Sequence, residues 1–365
     1  MAKYKPSKLI LGTRKGLLLL KNTGGKWSLQ RESFSGIPVV FAFYDERTET
    51  LWASLEHGHW GPKLHRSKNF GTTWDEVALP QYPDTAEVKP GVKAKLELVW
   101  YFAPGGEDRP NRLLLGTNPG GLFITEDNGD SFRFVETLWN HPSRQEFWFG
   151  GGRDSAGLSS LFVDPRDSRK IFVGASCGGV FFSGDGGQSW HGRNKGLKAY
   201  FMPNPDTEYG HDSHYMTYCG SNPDVLWQQN HCGIFHSKDG GQNWSEVSAK
   251  SGPARFGWSI AVDPEDAATA WVVPATQEDM RVAVKRKLCV CRTENSGKTW
   301  KTLTTGLPDT LAYDIVYRHA LDLSGNNLAF GTTTGNVYHS ANRGNKWRCL
   351  GNNFPPVYSV RFATA

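Results

Sequence analysis

Apolar residues in this chain fall in short runs, and none keeps a helical 3.6-residue spacing for long. GLSSLFVDP (157–165), KIFVGAS (170–176) and GGVFFS (178–183) follow one another with only four residues and one residue between them. The same order recurs as SHYMTY, VLWQQN, GIFHS and WSEV between 213 and 247, and as GWSIAVDP, TAWVVPA, KLCVCR and WKTL between 257 and 303. Runs of this length, rich in aromatic and β-branched residues and bounded by turn signals, predict strands rather than helices. Their first turns repeat too, as DPRD (164–167), NPD (222–224) and DPED (263–266). Each unit therefore predicts a four-stranded antiparallel meander.

An eight-residue element closes each unit. SKNFGTTW begins at Ser67, TEDNGDSF at Thr125, SGDGGQSW at Ser183, SKDGGQNW at Ser237, TENSGKTW at Thr293 and SANRGNKW at Ser340, with a weaker copy, LKNTGGKW, at Leu20. The starts lie 47 to 58 residues apart, the length of one four-stranded sheet with its turns. Chance glycine-rich loops would not keep that spacing. Within each copy the first hydroxyl and the Asp or Asn two places on are able to bond turn amides, the glycine at the fifth place supplies a positive φ, and the closing aromatic anchors the next strand. The element is structural. The chain begins with what reads as a second strand, KLILGT, and ends with what reads as a first strand, VYSVRFA, so the two predict one shared sheet and a closed ring of seven sheets without a free edge. The expectation is an all-β, seven-bladed propeller spanning residues 1–365 as one domain.

Composition narrows the function classes. No run of about 18 apolar residues occurs and the first residues lack a signal-like apolar core, so the chain is expected to be cytoplasmic, with no membrane partner. The net charge of +5 is dispersed, its densest cluster being KRK at 285–287, and this predicts no nucleic-acid partner. The six cysteines follow no framework spacing and read as free thiols; Cys289 and Cys291 share one strand face, a packing pattern.

The repeated element resembles the Asp-box, or BNR, repeat of the sialidase-like propellers, a group that includes sialidases, xyloglucanases, sortilin-type receptors and a photosystem assembly factor. The resemblance covers the whole chain and implies the propeller fold. It leaves the chemistry open, because that fold carries hydrolases, lyases and binding modules alike. Sialidases resemble one another in an Arg-Ile-Pro element; here the counterpart is GIP at 36–38, without the arginine, so sialic-acid chemistry is not implied.

Function is expected on the face opposite the eight-residue turns. There the loops between second and third strands meet the loops between blades, and three of the latter are long: 83–97, 136–157 and 194–214. The candidate catalytic residues are Asp154, Glu146, His57, Arg153, Arg255 and Tyr313; Glu56, His59, Trp148, Gln229 and Arg318 are candidates for holding substrate. GHDSH (210–214) enters the first strand of the fifth unit and QQNHCG (228–233) leaves its second, so His211, His214 and His231 are expected to converge, with Gln228 or Gln229 nearby, as ligands of one divalent metal ion and no other cofactor. Pectate-type oligogalacturonide lyases are similar in using histidines and a glutamine near the axis, although the match is limited to these residues. The leading expectation is a carbohydrate-active enzyme on a small acidic sugar-like or oligosaccharide substrate. As a glycoside hydrolase it would use Asp154 or Glu146 as acid; as a metal-assisted lyase it would move a proton through His57 or a tyrosine. The alternative is a non-catalytic propeller scaffold for protein–protein assembly. Oligomeric state is left open.

Overall fold

A computed structural model describes residues 6–364. They form seven four-stranded antiparallel sheets, joined by one two-stranded hairpin, Glu87–Lys89 with Val92–Lys93, in the loop before the third sheet. The first strands of the sheets are Val357–Ala363, Val39–Asp45, Leu98–Pro104, Gly157–Asp164, Ser213–Cys219, Gly257–Val262 and Leu321–Ser324, numbered here as blades one to seven. Each packs on the first strand of the next blade, and the seventh on the first, so the seven surround an axis. Closure is the predicted one: Lys8–Thr13 pairs with Val357–Ala363 antiparallel, Lys8 opposite Ala363 and Gly12 opposite Ser359. Two short helices, Glu136–Trp139 and Ser143–Phe147, interrupt what the sequence gives as loop. Among the described residues no helix is long and apolar enough to cross a membrane, and the six cysteines are free.

The eight-residue turns repeat to within a few tenths of an ångström. In blade four the Ser183 hydroxyl donates to Asp185 Oδ1 at 2.7 Å and accepts the Gly187 amide at 2.8 Å, while the Ser189 amide donates to Asp185 at 3.0 Å. The amide of the fifth-place glycine reaches the first-place hydroxyl at 2.8 to 2.9 Å in all six strong copies. Those glycines have φ between 78° and 93°, which a side chain would strain. The weak copy keeps only the bond from the Gly25 amide to Asn22. Four closing tryptophans then reach backwards: Trp74 donates to Ser33, Trp190 to Thr137, Trp244 to the Arg193 carbonyl and Trp300 to the Val247 carbonyl. These four turns thus lead into the last strand of their own sheet and pin it to the chain of the preceding unit, while Trp52, Trp227 and Trp271 fill the spaces between sheets, fully buried.

Ser183→Ala leaves the buried Gly187 amide without an acceptor, which costs about 1–3 kcal/mol. Denaturant unfolding is expected to show that loss, against a change within about 0.5 kcal/mol for the exposed Lys298→Ala.

Candidate functional site

On the face away from those turns, six of the seven first strands carry a register slip where they meet the end of the second strand. In blade five Ser213 pairs with Asn230 but Tyr215 with Gln229, leaving His214 as the extra residue. The same slip leaves Val40, Trp100, Ser159 and Tyr358 extra in blades two, three, four and one, and Trp258 with Ser259 in blade six. A bulge of this kind bends the strand and re-aims a side chain. Val40, Trp100, His214, Trp258 and Tyr358 all line one axial cavity of about 580 Å³, a size suited to a small molecule.

Blade seven closes the floor. Its segment Tyr317–His319 crosses the axis: His319 Nε2 donates to the Ser159 carbonyl of blade four at 2.8 Å, and its own carbonyl accepts from Arg361 at 2.8 Å. Phe41, Tyr101 and Tyr215 surround its ring. Burial, with Arg361 beside it, holds this imidazole well below the usual histidine range, so it is neutral.

Asp212 stands at the centre of the polar wall. Its Oδ1 accepts from Ser176 Oγ at 2.8 Å and from the Cys177 amide at 3.3 Å. Its Oδ2 faces His214 Nε2 at 3.3 Å and His231 Nδ1 at 3.5 Å. His214 Nδ1 lies 2.6 Å from the Gly257 carbonyl, which only accepts, so the ring proton sits on Nδ1 and the Nε2 lone pair points at Asp212. His231 Nε2 lies 3.6 Å from Glu278 Oε2. Burial alone would raise the Asp212 carboxyl; His214, His231 and Arg318 outweigh it and keep it well below the ordinary range. Burial lowers His214, more than Asp212 raises it. Burial also opposes charge on His231, but its contact with Asp212, aided by Glu278, turns the net shift upward.

Of the residues expected from the sequence, the structure brings together His214, His231, Arg318, Arg153 and Glu56, the last two 3.5 Å apart. The others stand elsewhere. His211 is buried and gives Nε2 to the Thr207 carbonyl at 2.8 Å, so Asp212 occupies the place expected for it. Asp154 is exposed, since Arg153 and Ser155 on either side turn inward. Glu146 is on the solvent side of its helix, whose buried face holds Arg144 stacked on Trp139 at 3.5 Å; Trp148 packs on Phe181 and bonds Ser143. His57 accepts the amides of His59 and Trp60 within its own turn, with His59 exposed against Trp60. Gln229 donates to the Gly233 and Arg255 carbonyls, and Gln228 accepts from Asn230. Arg255 and Tyr313 are exposed and line no part of the cavity. Glu278, Arg281, Trp100 and Trp258 were not among the expected residues, and Asp212 stood in the expected loop 194–214 without an assigned role. For Asp212 the signal was present: in GHDSH, positions 212 and 214 share a strand face and 211 does not.

No family model matches the chain, and no curated protein matches it in sequence. Solved structures do. An ancestral GH74 enzyme is similar at 17% identity and a TM-score of 0.56, over 85% of this chain and 38% of that one. YCF48 from Cyanidioschyzon merolae is similar at 14% and 0.54, over 90% of each chain. A candidate 6-phosphogluconolactonase from Bacteroides uniformis is similar at 12% and 0.56, over 98% of this chain and 99% of that one. The chain thus spans well under half of the GH74 enzyme, and identities this low carry the fold alone. The Asp-box resemblance rests on the residues of the turns.

The upward shift of His231 depends on Asp212, and its sign has a consequence. A histidine raised on folding contributes stability that is complete below its ordinary value of 6.5 and fades as the pH rises through the folded value. Nuclear magnetic resonance titration of the chelator-treated protein is expected to find His231 above that value, and Asp212→Asn to bring it below. An unchanged His231 in the variant would refute the ion pair.

Proposed function

We propose that the axial cavity is an enzyme site in which one divalent cation, held by Asp212, His214 and His231, acts on a small acidic sugar-like substrate. The observation that carries this reading is the meeting of three potential ligand atoms, one each from Asp212, His214 and His231, all within 4.8 Å of one another. A divalent cation there takes the place of the proton that His231 Nδ1 shares with Asp212. Metal–ligand bonds of about 2.0–2.1 Å in a tetrahedron place ligand atoms about 3.3–3.5 Å apart, and the two spacings around Oδ2 are 3.3 and 3.5 Å. The partners behind the ligands support the same reading, because an acceptor on the far nitrogen fixes the tautomer and strengthens the ligand.

Three protein ligands leave a coordination position for substrate or water, where the cation supplies Lewis-acid polarisation or a nucleophilic hydroxide. Arg318, Arg281 and Arg153 give the cavity positive charge, and Trp100, Trp258, Tyr317 and Tyr358 offer ring faces and hydroxyls to a polyhydroxylated molecule. The metal-free hydrolase reading loses its acid residues, because Asp154 and Glu146 lie outside the cavity. The GH74 and lactonase-like neighbours are compatible with an enzyme on this fold.

A second reading, a protein-binding propeller, has one observation in its favour. Trp60, Tyr200, Phe201, Met280, Leu311 and Tyr313, large apolar side chains exposed at 41% or more, all stand on loops of the cavity face.

Chelator-treated protein is expected to bind one Zn²⁺, with Asp212→Ala and His231→Ala each weakening it at least about 100-fold, at the upper end of losses seen for disturbed metal sites. Turnover in a panel of sugar acids, their lactones and their glycosides is expected to require the cation and to vanish in both variants. Calorimetry showing no cation uptake would sink the proposal, and uptake without any turnover would leave the protein-binding reading.

A further inference from the structure

The three cavity arginines differ in what already engages them. Arg153 faces Glu56 at 3.5 Å, and Arg281 is exposed and donates Nε to the Glu278 carbonyl at 3.0 Å. Arg318 lies on the cavity floor with its guanidinium over the Trp100 ring, 5.0 Å from the centroid. Its single hydrogen bond runs from Nη2 to Ser176 Oγ at 3.2 Å. Its Nε is buried without a partner, and among the described residues no carboxylate oxygen comes within 4.0 Å of it. A guanidinium carries five N–H donors in a rigid plane, so most of this fork is unsatisfied while the ring beneath it fixes its orientation. Leaving a charged donor so placed is costly unless an acceptor enters.

The acceptor's chemistry follows from the plane and from the neighbours. One flat edge of a guanidinium matches the two coplanar oxygens of a carboxylate. A phosphoryl group is better served by several donors arrayed around it, and here one planar fork is free. Ser176 joins this fork to the cation cluster: its hydroxyl accepts from Arg318 and donates to Asp212 Oδ1 at 2.8 Å. A ligand seated on Arg318 therefore has its next atoms beside Asp212.

We infer that Arg318 anchors the carboxylate of a hydroxycarboxylic acid, whose hydroxyl next to that carboxylate turns toward the cation held by Asp212, His214 and His231. This rests on the reading given under Proposed function and names the group by which the substrate is chosen. Arg318 is then the residue that separates acids from neutral polyols, and a lysine, with a point charge in place of a fork, does not substitute for it.

Calorimetry with D-gluconate, with its neutral counterpart sorbitol and with inorganic phosphate tests this, using zinc-loaded wild type, Arg318→Gln and Arg318→Lys. Gluconate is expected to bind the wild type at least about 10-fold more tightly than sorbitol. Both variants are expected to weaken gluconate at least about 30-fold, the loss expected for one partner of a buried charge pair, while each still takes up zinc. A native circular dichroism spectrum reports that each variant is folded; if Arg318→Gln fails to fold, Arg318→Lys carries the test. Equal binding of gluconate by wild type and Arg318→Lys, equal binding of sorbitol and gluconate, or phosphate binding more tightly than gluconate would each overturn the inference. Should the wild type take up gluconate through Arg318 without taking up zinc, the anchor stands and the cation reading falls.

Discussion

The constraint on which everything else rests is the pairing of Lys8–Thr13 with Val357–Ala363. It joins residues some 350 positions apart, and it turns a row of seven sheets into a ring. A row would expose the edge of Lys8–Thr13 to pairing with other chains. The ring also defines the cavity, because Tyr358 comes from the closing strand and Arg318 from the blade beside it. Both reach the axis only when the last blade meets the first.

The two faces divide the work. On one, a hydroxyl and a glycine amide repeat nearly unchanged, and in four blades the indole that follows ties the turn to the preceding unit. On the other, the bulge fixes a place but leaves the residue free: valine, tryptophan, serine, histidine, tryptophan and tyrosine occupy equivalent positions around the axis. A slip of one residue moves a side chain to the opposite face of a strand, so the bulge admits to the cavity a residue that regular pairing would have turned into the sheet. The residue at those positions varies from blade to blade without disturbing the turns that hold the ring.

That division explains what was legible in the sequence. The turns repeat, so the number of blades, the shared sheet and the face on which the second-to-third loops gather were all readable. The site does not repeat, and residue type alone does not state direction. His211, Asp154 and Glu146 have suitable chemistry and face away from the cavity. Trp148 is aromatic and near the axis, yet it packs the loop that carries Arg144. Asp212 was recoverable from the two-residue strand period in GHDSH. Trp100 and Trp258 were not, since their inward direction depends on a slip in pairing that no local pattern marks. Glu278 and Arg281 belong to a second-to-third loop whose path is set by tertiary packing.

Asp212 binds the electrostatics of the cavity together. In the cation-free protein one carboxylate serves His231 on one side and, through Ser176, Arg318 on the other, and both hold it ionised. A divalent cation at Oδ2 takes over that negative charge and adds positive charge beside it. Arg318 then loses its nearest counter-charge and becomes a stronger receptor for an anion. By linkage, the anion must strengthen cation binding by the same factor. On this account the two halves of the proposed site are not independent pockets: the shared carboxylate makes filling one the condition for filling the other well.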